Sequence, residues 1–129
     1  MAPIDYWETW LKDLYSLGAK DYCDIQGIHL YHDLPTNNYD MINSIKAYGK
    51  SVWITEIGRP SSPSPYSEVN QAEYLESNFK LLLSNAEKAF WYEMIDCVNL
   101  ESEKENHFGL INKDHLKKSA YDKFQSFLG

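Results

Sequence analysis

The segment Val52-Trp53-Ile54-Thr55-Glu56-Ile57-Gly58 is a run of β-branched and aromatic residues that delivers a lone glutamate near its end. Its composition is that of a buried strand, and Gly58 with the loop Arg59-Pro60-Ser61-Ser62-Pro63-Ser64-Pro65 stops it. A carboxylate where a parallel strand opens into its βα loop stands where α/β folds place their chemistry. Burying such a charge is costly without partners, and the plainer reading is a strand-end glutamate paired to an Arg or Lys. Side chains alternate along a strand, so Gly27, His29 and Tyr31 share one face of an earlier strand. Ile54 and Glu56 share a face of the next, and Trp91 and Glu93 a face of a third. With those faces in common, the rim gathers His29, Tyr31, Glu56, Trp91 and Glu93 around one pocket. Singly, each has a plainer role: His29 as a hydrogen-bonded structural histidine, Tyr31 and Trp91 as core rings, Glu93 facing solvent or salt-bridged. Together they point to a binding hollow. His29 and His32 form an H-x-x-H, but on a strand they face opposite ways, so no metal site is expected. No cofactor is expected either.

The elements that must position these residues alternate helix and strand. Asp5 with Glu8 resembles a capping pair, and Trp7, Trp10, Leu11, Leu14 and Leu17 repeat at helical spacing until Gly18. Residues 24–31 read as a strand. Pro35-Thr36-Asn37-Asn38 turns into a helix carrying Met41, Ile42, Ile45 and Tyr48, which Gly49 ends. The Glu56 strand follows. Ser67 caps a long helix with Val69, Ala72, Leu75, Phe79, Leu82 and Leu83 on one side. Residues 89–95 form a third strand; a polar loop (99–107), the run Phe108-Gly109-Leu110-Ile111 and a last helix with Leu116, Ala120, Phe124 and Phe127 complete the chain. This α-β-α-β-α-β-α order predicts an α/β fold, a parallel sheet with helical crossovers, in one domain spanning residues 1–129. None of the strand-to-helix turns is a Gly-rich phosphate loop, which disfavours a nucleotide-binding domain.

Bulk properties narrow the field further. The chain has 129 residues, 43% hydrophobic and 24% charged, the proportions of a soluble globular domain. Ten Tyr, four Trp and five Phe favour stacking surfaces or a core of large rings. The net charge of −7 works against gripping a phosphate backbone, so nucleic acid is not an expected partner. No apolar run reaches the roughly 18 residues of a membrane span, and residues 1–5 lack the features of a secretory signal; the sequence leaves localisation open. Cys23 and Cys97 fall at opposite ends of the sheet and read as free thiols.

Ile28-His29-Leu30-Tyr31, Trp53-Ile54-Thr55-Glu56-Ile57-Gly58, Phe90-Trp91-Tyr92 and Phe108-Gly109-Leu110-Ile111-Asn112 resemble the last three strands of clan A glycoside hydrolases, closest to the cellulase-like family 5 and family 39 types. The resemblance implies a partial TIM (β/α)8 barrel of three parallel strands with four helices. It implies that Glu56 is the nucleophile of a retaining reaction, that Tyr31 and His29 sit beside it, and that Trp91 lies beneath the sugar. Glu93 joins these as a candidate substrate-binding residue. In the resembled family, Lys-Pro-Ala-Tyr leads into the last helix; here the segment is Lys118-Ser119-Ala120-Tyr121, without the proline.

A full barrel typically needs about 250 residues. Retaining glycosidases use two carboxylates about 5–5.5 Å apart. In the resembled clan the acid/base follows an Asn, and no Asn-Glu dipeptide occurs here. The expectation is therefore a glycosidase piece carrying the nucleophile half of the site, acting on an oligo- or polysaccharide and completed by an acid/base from an N-terminal half. The alternative is a non-catalytic carbohydrate-binding or structural α/β domain of the same descent. Open sheet edges and an uncovered barrel-interior face (Ile25, Gly27, Ile54) predict self-association, or association with a chain bearing the first strands. Alternatively, the helices fold over both faces to give a self-contained domain.

Overall fold

The computed structural model of the chain describes residues 7–98 and 101–128, with side chains from Thr9 onward. Strands β1 (Ile25–Leu30), β2 (Ser51–Ile57) and β3 (Lys88–Trp91) form one parallel sheet in the order β1-β2-β3. Among the described residues four α-helices accompany it: α1 (Trp7–Ser16), α2 (Pro35–Lys46), α3 (Glu68–Leu82) and α4 (Ser119–Ser126). This is the expected part-barrel, an open three-stranded sheet with helical crossovers. The Asp5–Glu8 pair and the Trp7 side chain lie outside the described residues. None of the described helices is long and apolar enough to cross a membrane. Both cysteines are free thiols.

The helices cover one face of the sheet only. Ile28, Leu30, Val52, Ile54 and Ile57 are buried against them, whereas Ile25, Gly27, His29, Thr55 and Phe90 are exposed on the other face. Ile54, expected on the barrel-interior side with Glu56, is instead fully buried on the helix side. The cause is a bulge. Ile28 pairs with Ile54 but His29 pairs with Glu56, so Thr55 is an extra residue on β2. A bulge shifts the alternation by one. Below it the even-numbered residues of β2 face the helices; above it Ile57 does, and Glu56 turns to the open face beside His29.

Helix phases follow the packing partners. Ser67 caps α3, its hydroxyl accepting from the Asn70 amide at 3.1 Å. Ala72, Leu75, Phe79 and Leu82 are buried, while Val69 and Leu83 at either end are exposed. In α1 the buried pair is Leu11 and Tyr15, and the expected core residues Trp10 and Leu17 are exposed. Tyr15 sets this phase by donating to Gln26 Oε1 at 2.9 Å and meeting Tyr48 edge-on. Leu116 is likewise exposed, because α4 starts only at Ser119; Phe124 and Phe127 pack on Phe79. The third strand is shorter than expected, ending at Trp91. Beyond it residues 93–96 pair with the 108–111 run instead, through Leu110 N to Glu93 O (3.1 Å) and Asp96 N to Ile111 O (2.8 Å).

Two polar anchors fix the loops at the C-terminal end of the sheet. Fully buried Gln71 on α3 donates to the carbonyls of Arg59 (2.9 Å), Phe108 (3.2 Å) and Gly109 (3.2 Å). Lys118, just before α4, sends its buried ammonium to Asp96 Oδ1 (2.6 Å), Ser61 Oγ (2.9 Å) and the His107 carbonyl (3.4 Å). Asp96 Oδ1 also accepts from the Gly109 amide at 2.8 Å. The loops after β2 and β3 are thus tied to each other and to both flanking helices.

Candidate active site

Above the sheet's C-terminal edge, β1 and β2 bring three polar side chains together. Tyr31, the residue after β1, donates its hydroxyl to Glu56 Oε2 at 2.8 Å. His29 Nδ1 lies 3.2 Å from the same oxygen. Both contacts depend on the Thr55 bulge, since strict alternation would send Glu56 under the helices. The plainer reading of Glu56, pairing with a nearby cation, does not describe this site. The adjacent Arg59 gives its Nη1 to Asp33 at 2.7 Å and lays its guanidinium over the rings of Tyr66 and Tyr74.

Glu56 borders a cavity of about 390 Å³ whose walls come from all three strand-end loops. Tyr31, Tyr92 and Phe108 form an aromatic side, Phe108 meeting both tyrosines edge-on. Arg59, Pro60 and Tyr66 contribute from the loop after β2, and Lys104 and Glu105 from the loop after β3. Gly58 permits the close approach of these loops, because a Cβ there would collide with the Tyr92 carbonyl oxygen. The Tyr31 phenol is held well above its ordinary pKa by burial first and then by its bond to the Glu56 carboxylate. It therefore stays a donor across the physiological range. Burial also raises the Tyr92 phenol, and Glu93 adds to that rise. Tyr74, beneath Arg59, is pushed up to about 12 by burial.

Of the five residues expected at the rim, the structure brings His29, Tyr31 and Glu56 together. Trp91 lies elsewhere: its indole packs on Tyr74 and Phe79 of α3, and its Nε1 donates to the Phe108 carbonyl at 3.2 Å. The reason is again register, because Trp91 pairs with Ile57 and so points toward the helices with it. Tyr92, one residue on, faces the cavity. Glu93 also stands outside the cavity lining, its Oε2 accepting from the Cys97 thiol at 3.1 Å. No group of three or more His, Cys, Asp or Glu side chains among the described residues is arranged to hold a metal.

A model of the glycosyl hydrolase catalytic core matches residues 3–120, nearly the whole chain. The chain belongs to that family. Solved structures carry a similar arrangement of strands and helices. A GH2 β-galacturonidase from Eisenbergiella tayi, bound to galacturonate, superposes with a TM-score of 0.71 at 20% identity over 84% of this chain and 24% of its own. A GH5_18 protein from Streptomyces cattleya in complex with GlcNAc gives 0.63 at 19% identity over 74% and 25%. The β-glucuronidase of Bifidobacterium dentium, complexed with coumarin-3-O-glucuronide, gives 0.69 at 16% identity over 82% and 21%. At these identities the likeness is one of fold. The catalytic-core chain spans about a quarter of the length of each. No curated protein matches the sequence.

Several residues that line the cavity carry no local signal in the sequence. Glu105 and Lys104 sit in a stretch, Glu101-Ser102-Glu103-Lys104-Glu105-Asn106-His107, whose charge density reads as a solvated loop. Tyr92 was masked by the larger ring beside it. Phe108 stands in the sequence within the run Phe108-Gly109-Leu110-Ile111, and nothing local announces that its ring reaches Tyr31. Arg59 was legible as a cation next to Glu56; its engagement with Asp33, 26 residues away, was not.

Proposed function

We propose that this chain supplies the nucleophile half of a retaining O-glycosidase site. Glu56 attacks the anomeric carbon of a sugar held in the 390 Å³ cavity. The glycosidic C–O bond breaks as the acid/base carboxyl gives its proton to the departing oxygen, and water then cleaves the glycosyl ester. Tyr31 and His29 orient the Glu56 carboxylate, and Tyr92 and Phe108 offer the rings against which the sugar's C–H face rests. The observation that carries this reading is the convergence of the Tyr31 hydroxyl and the His29 imidazole on one oxygen of Glu56 at the rim of that cavity. Such a bond fixes the carboxylate's rotamer and leaves the anion available for attack. The acid/base carboxylate is contributed by further βα units, which also complete the sheet by pairing along β1 and β3. Copies of this chain can occupy the same edges. A clean monomer by light scattering at high concentration counts against such self-association.

The decisive experiment is incubation with activated 2-deoxy-2-fluoro glycosides, followed by peptide mass spectrometry. A covalent sugar adduct on Glu56 is expected. Its absence even when the remaining βα units are supplied refutes the nucleophile role. The second reading, a carbohydrate-binding domain without turnover, is favoured by the lack of an Asn-Glu dipeptide. Saccharide binding left unchanged by Glu56→Gln, with no adduct, supports it.

A further inference from the structure

We infer that Glu105 is a substrate-binding residue of the same site, its carboxylate accepting hydrogen bonds from the hydroxyls of a neutral sugar held against Glu56. This rests on the glycosidase reading and adds the class of sugar to it. Three carboxylates line the cavity: Asp33, Glu56 and Glu105. Asp33 is engaged by Arg59, and Glu56 by Tyr31 and His29. Glu105 makes no ion pair among the described residues, although Lys104 precedes it directly; the Lys104 ammonium lies instead over the Tyr66 ring, 5.8 Å from its centroid.

Glu105 is also held in place. It sits half-buried on the 3-10 turn Glu103–His107, whose start is closed by the Glu105 amide on the Ser102 carbonyl (3.0 Å). The turn's end is tied down by the Ser61 amide on the His107 carbonyl (2.9 Å), and His107 Nε2 contacts Glu103 Oε1 at 3.0 Å. Glu56, Glu105 and the two phenols Tyr31 and Tyr92 all line the same cavity. Sugars are bound by this combination: a ring takes the C–H face while charged acceptors take the hydroxyl protons. The charge balance selects among sugars. With Arg59 neutralised by Asp33, the cavity's remaining charges are Glu56, Glu105 and one exposed lysine, a field that repels a sugar carboxylate.

The test uses the whole chain and four probes, the 2,4-dinitrophenyl 2-deoxy-2-fluoro-β-glycosides of glucose, galactose, mannose and glucuronic acid. Labelling of Glu56 is followed in wild type and in Glu105→Gln. The activated leaving group makes an acid catalyst unnecessary, so the variant reports on binding alone. A neutral probe should label wild type faster than the glucuronide does. Glu105→Gln should raise that neutral probe's KI by about ten- to a hundredfold, the loss of one hydrogen bond to a charged acceptor, with the limiting rate little changed. The same substitution should improve the glucuronide, a reversal that a merely structural residue does not produce. An unchanged KI, or preference for the glucuronide by wild type, overturns the inference while leaving the Glu56 assignment intact. If no probe labels wild type even with the remaining βα units supplied, it is the nucleophile assignment that fails. Binding of the unreactive methyl β-glycosides, followed by tyrosine and tryptophan fluorescence, then decides on Glu105: equal affinity in wild type and variant, or no saturable binding by wild type, overturns it.

Discussion

Substituting Lys118 by Met should be among the most damaging single changes available in this chain. The Lys118 and Asp96 side chains are only 3% and 5% exposed, and their 2.6 Å contact places two charges in a region water does not reach. Methionine nearly matches the lysine stem in volume, so packing is largely conserved and the lost interactions are those of the ammonium. Asp96 would then be left with the Gly109 amide and the more distant His107 Nδ1 at 3.7 Å. Removing one partner of a buried pair typically costs about 3–5 kcal/mol, because the surviving charge is uncompensated. At an unfolding entropy of about 2.1 cal/mol/K per residue over 129 residues, that loss lowers the melting temperature by roughly 11–18 °C. Scanning calorimetry and urea unfolding measure it directly. The double variant with Asp96→Asn should recover a substantial part of the loss, because no unpaired charge then remains. A single-variant loss below about 1 kcal/mol, or a double variant no better than the single, would refute the claim that this pair is desolvated and coupled.

Three further outcomes are expected. Tyr31→Phe keeps the edge-on contact with Phe108 but loses the 2.8 Å bond to Glu56. It should slow adduct formation at Glu56 by about ten- to a hundredfold while moving the melting temperature little. Gly58→Ala drives a methyl into the Tyr92 carbonyl and the Phe108 ring, and should cost roughly 1–3 kcal/mol in urea unfolding. Glu76 is drawn down to about 2 by its hydrogen bonds to Lys123 and then Lys80, from an ordinary value of 4.5. The α3–α4 clamp it makes is therefore fully present above about 4.5 and is lost as pH falls from there through about 2; carboxyl NMR should find that midpoint, and a normal one would contradict the clamp.

The order of elements and the parallel sheet were legible because each signal is local. Ser67 announces a cap, Gly18 and Gly49 mark the ends of helical runs, and β-branched runs mark the strands. The convergence of Tyr31, His29 and Glu56 was legible for a different reason: residues at the ends of neighbouring parallel strands have few places to go. What failed was parity. Alternation alone groups Ile54 with Glu56 and lifts Trp91 to the rim, and nothing in Ile-Thr-Glu-Ile reveals that Thr55 is extra. The bulge is a property of pairing between strands, so it exists only once β1 and β2 are side by side. Arg59, Tyr92, Glu105 and Phe108, which also line the cavity, depend on loops held by Gln71 and Lys118. Those contacts span 11 to 57 residues of sequence, beyond the reach of any local pattern.

The extra residue at Thr55 has a consequence for anyone transplanting this chemistry. Upstream of it the even-numbered residues of β2 meet the oily underlayer, and downstream Ile57 does, so the strand runs in two phases. Deleting the Thr55 codon would remove the kink and leave Ile54, Glu56 and Ile57 in plain alternation, with the glutamate still on the open face. A graft that copies Ile54-Thr55-Glu56-Ile57 whole must therefore carry the kink along with the acid, because an unkinked strand would turn that glutamate under the helices.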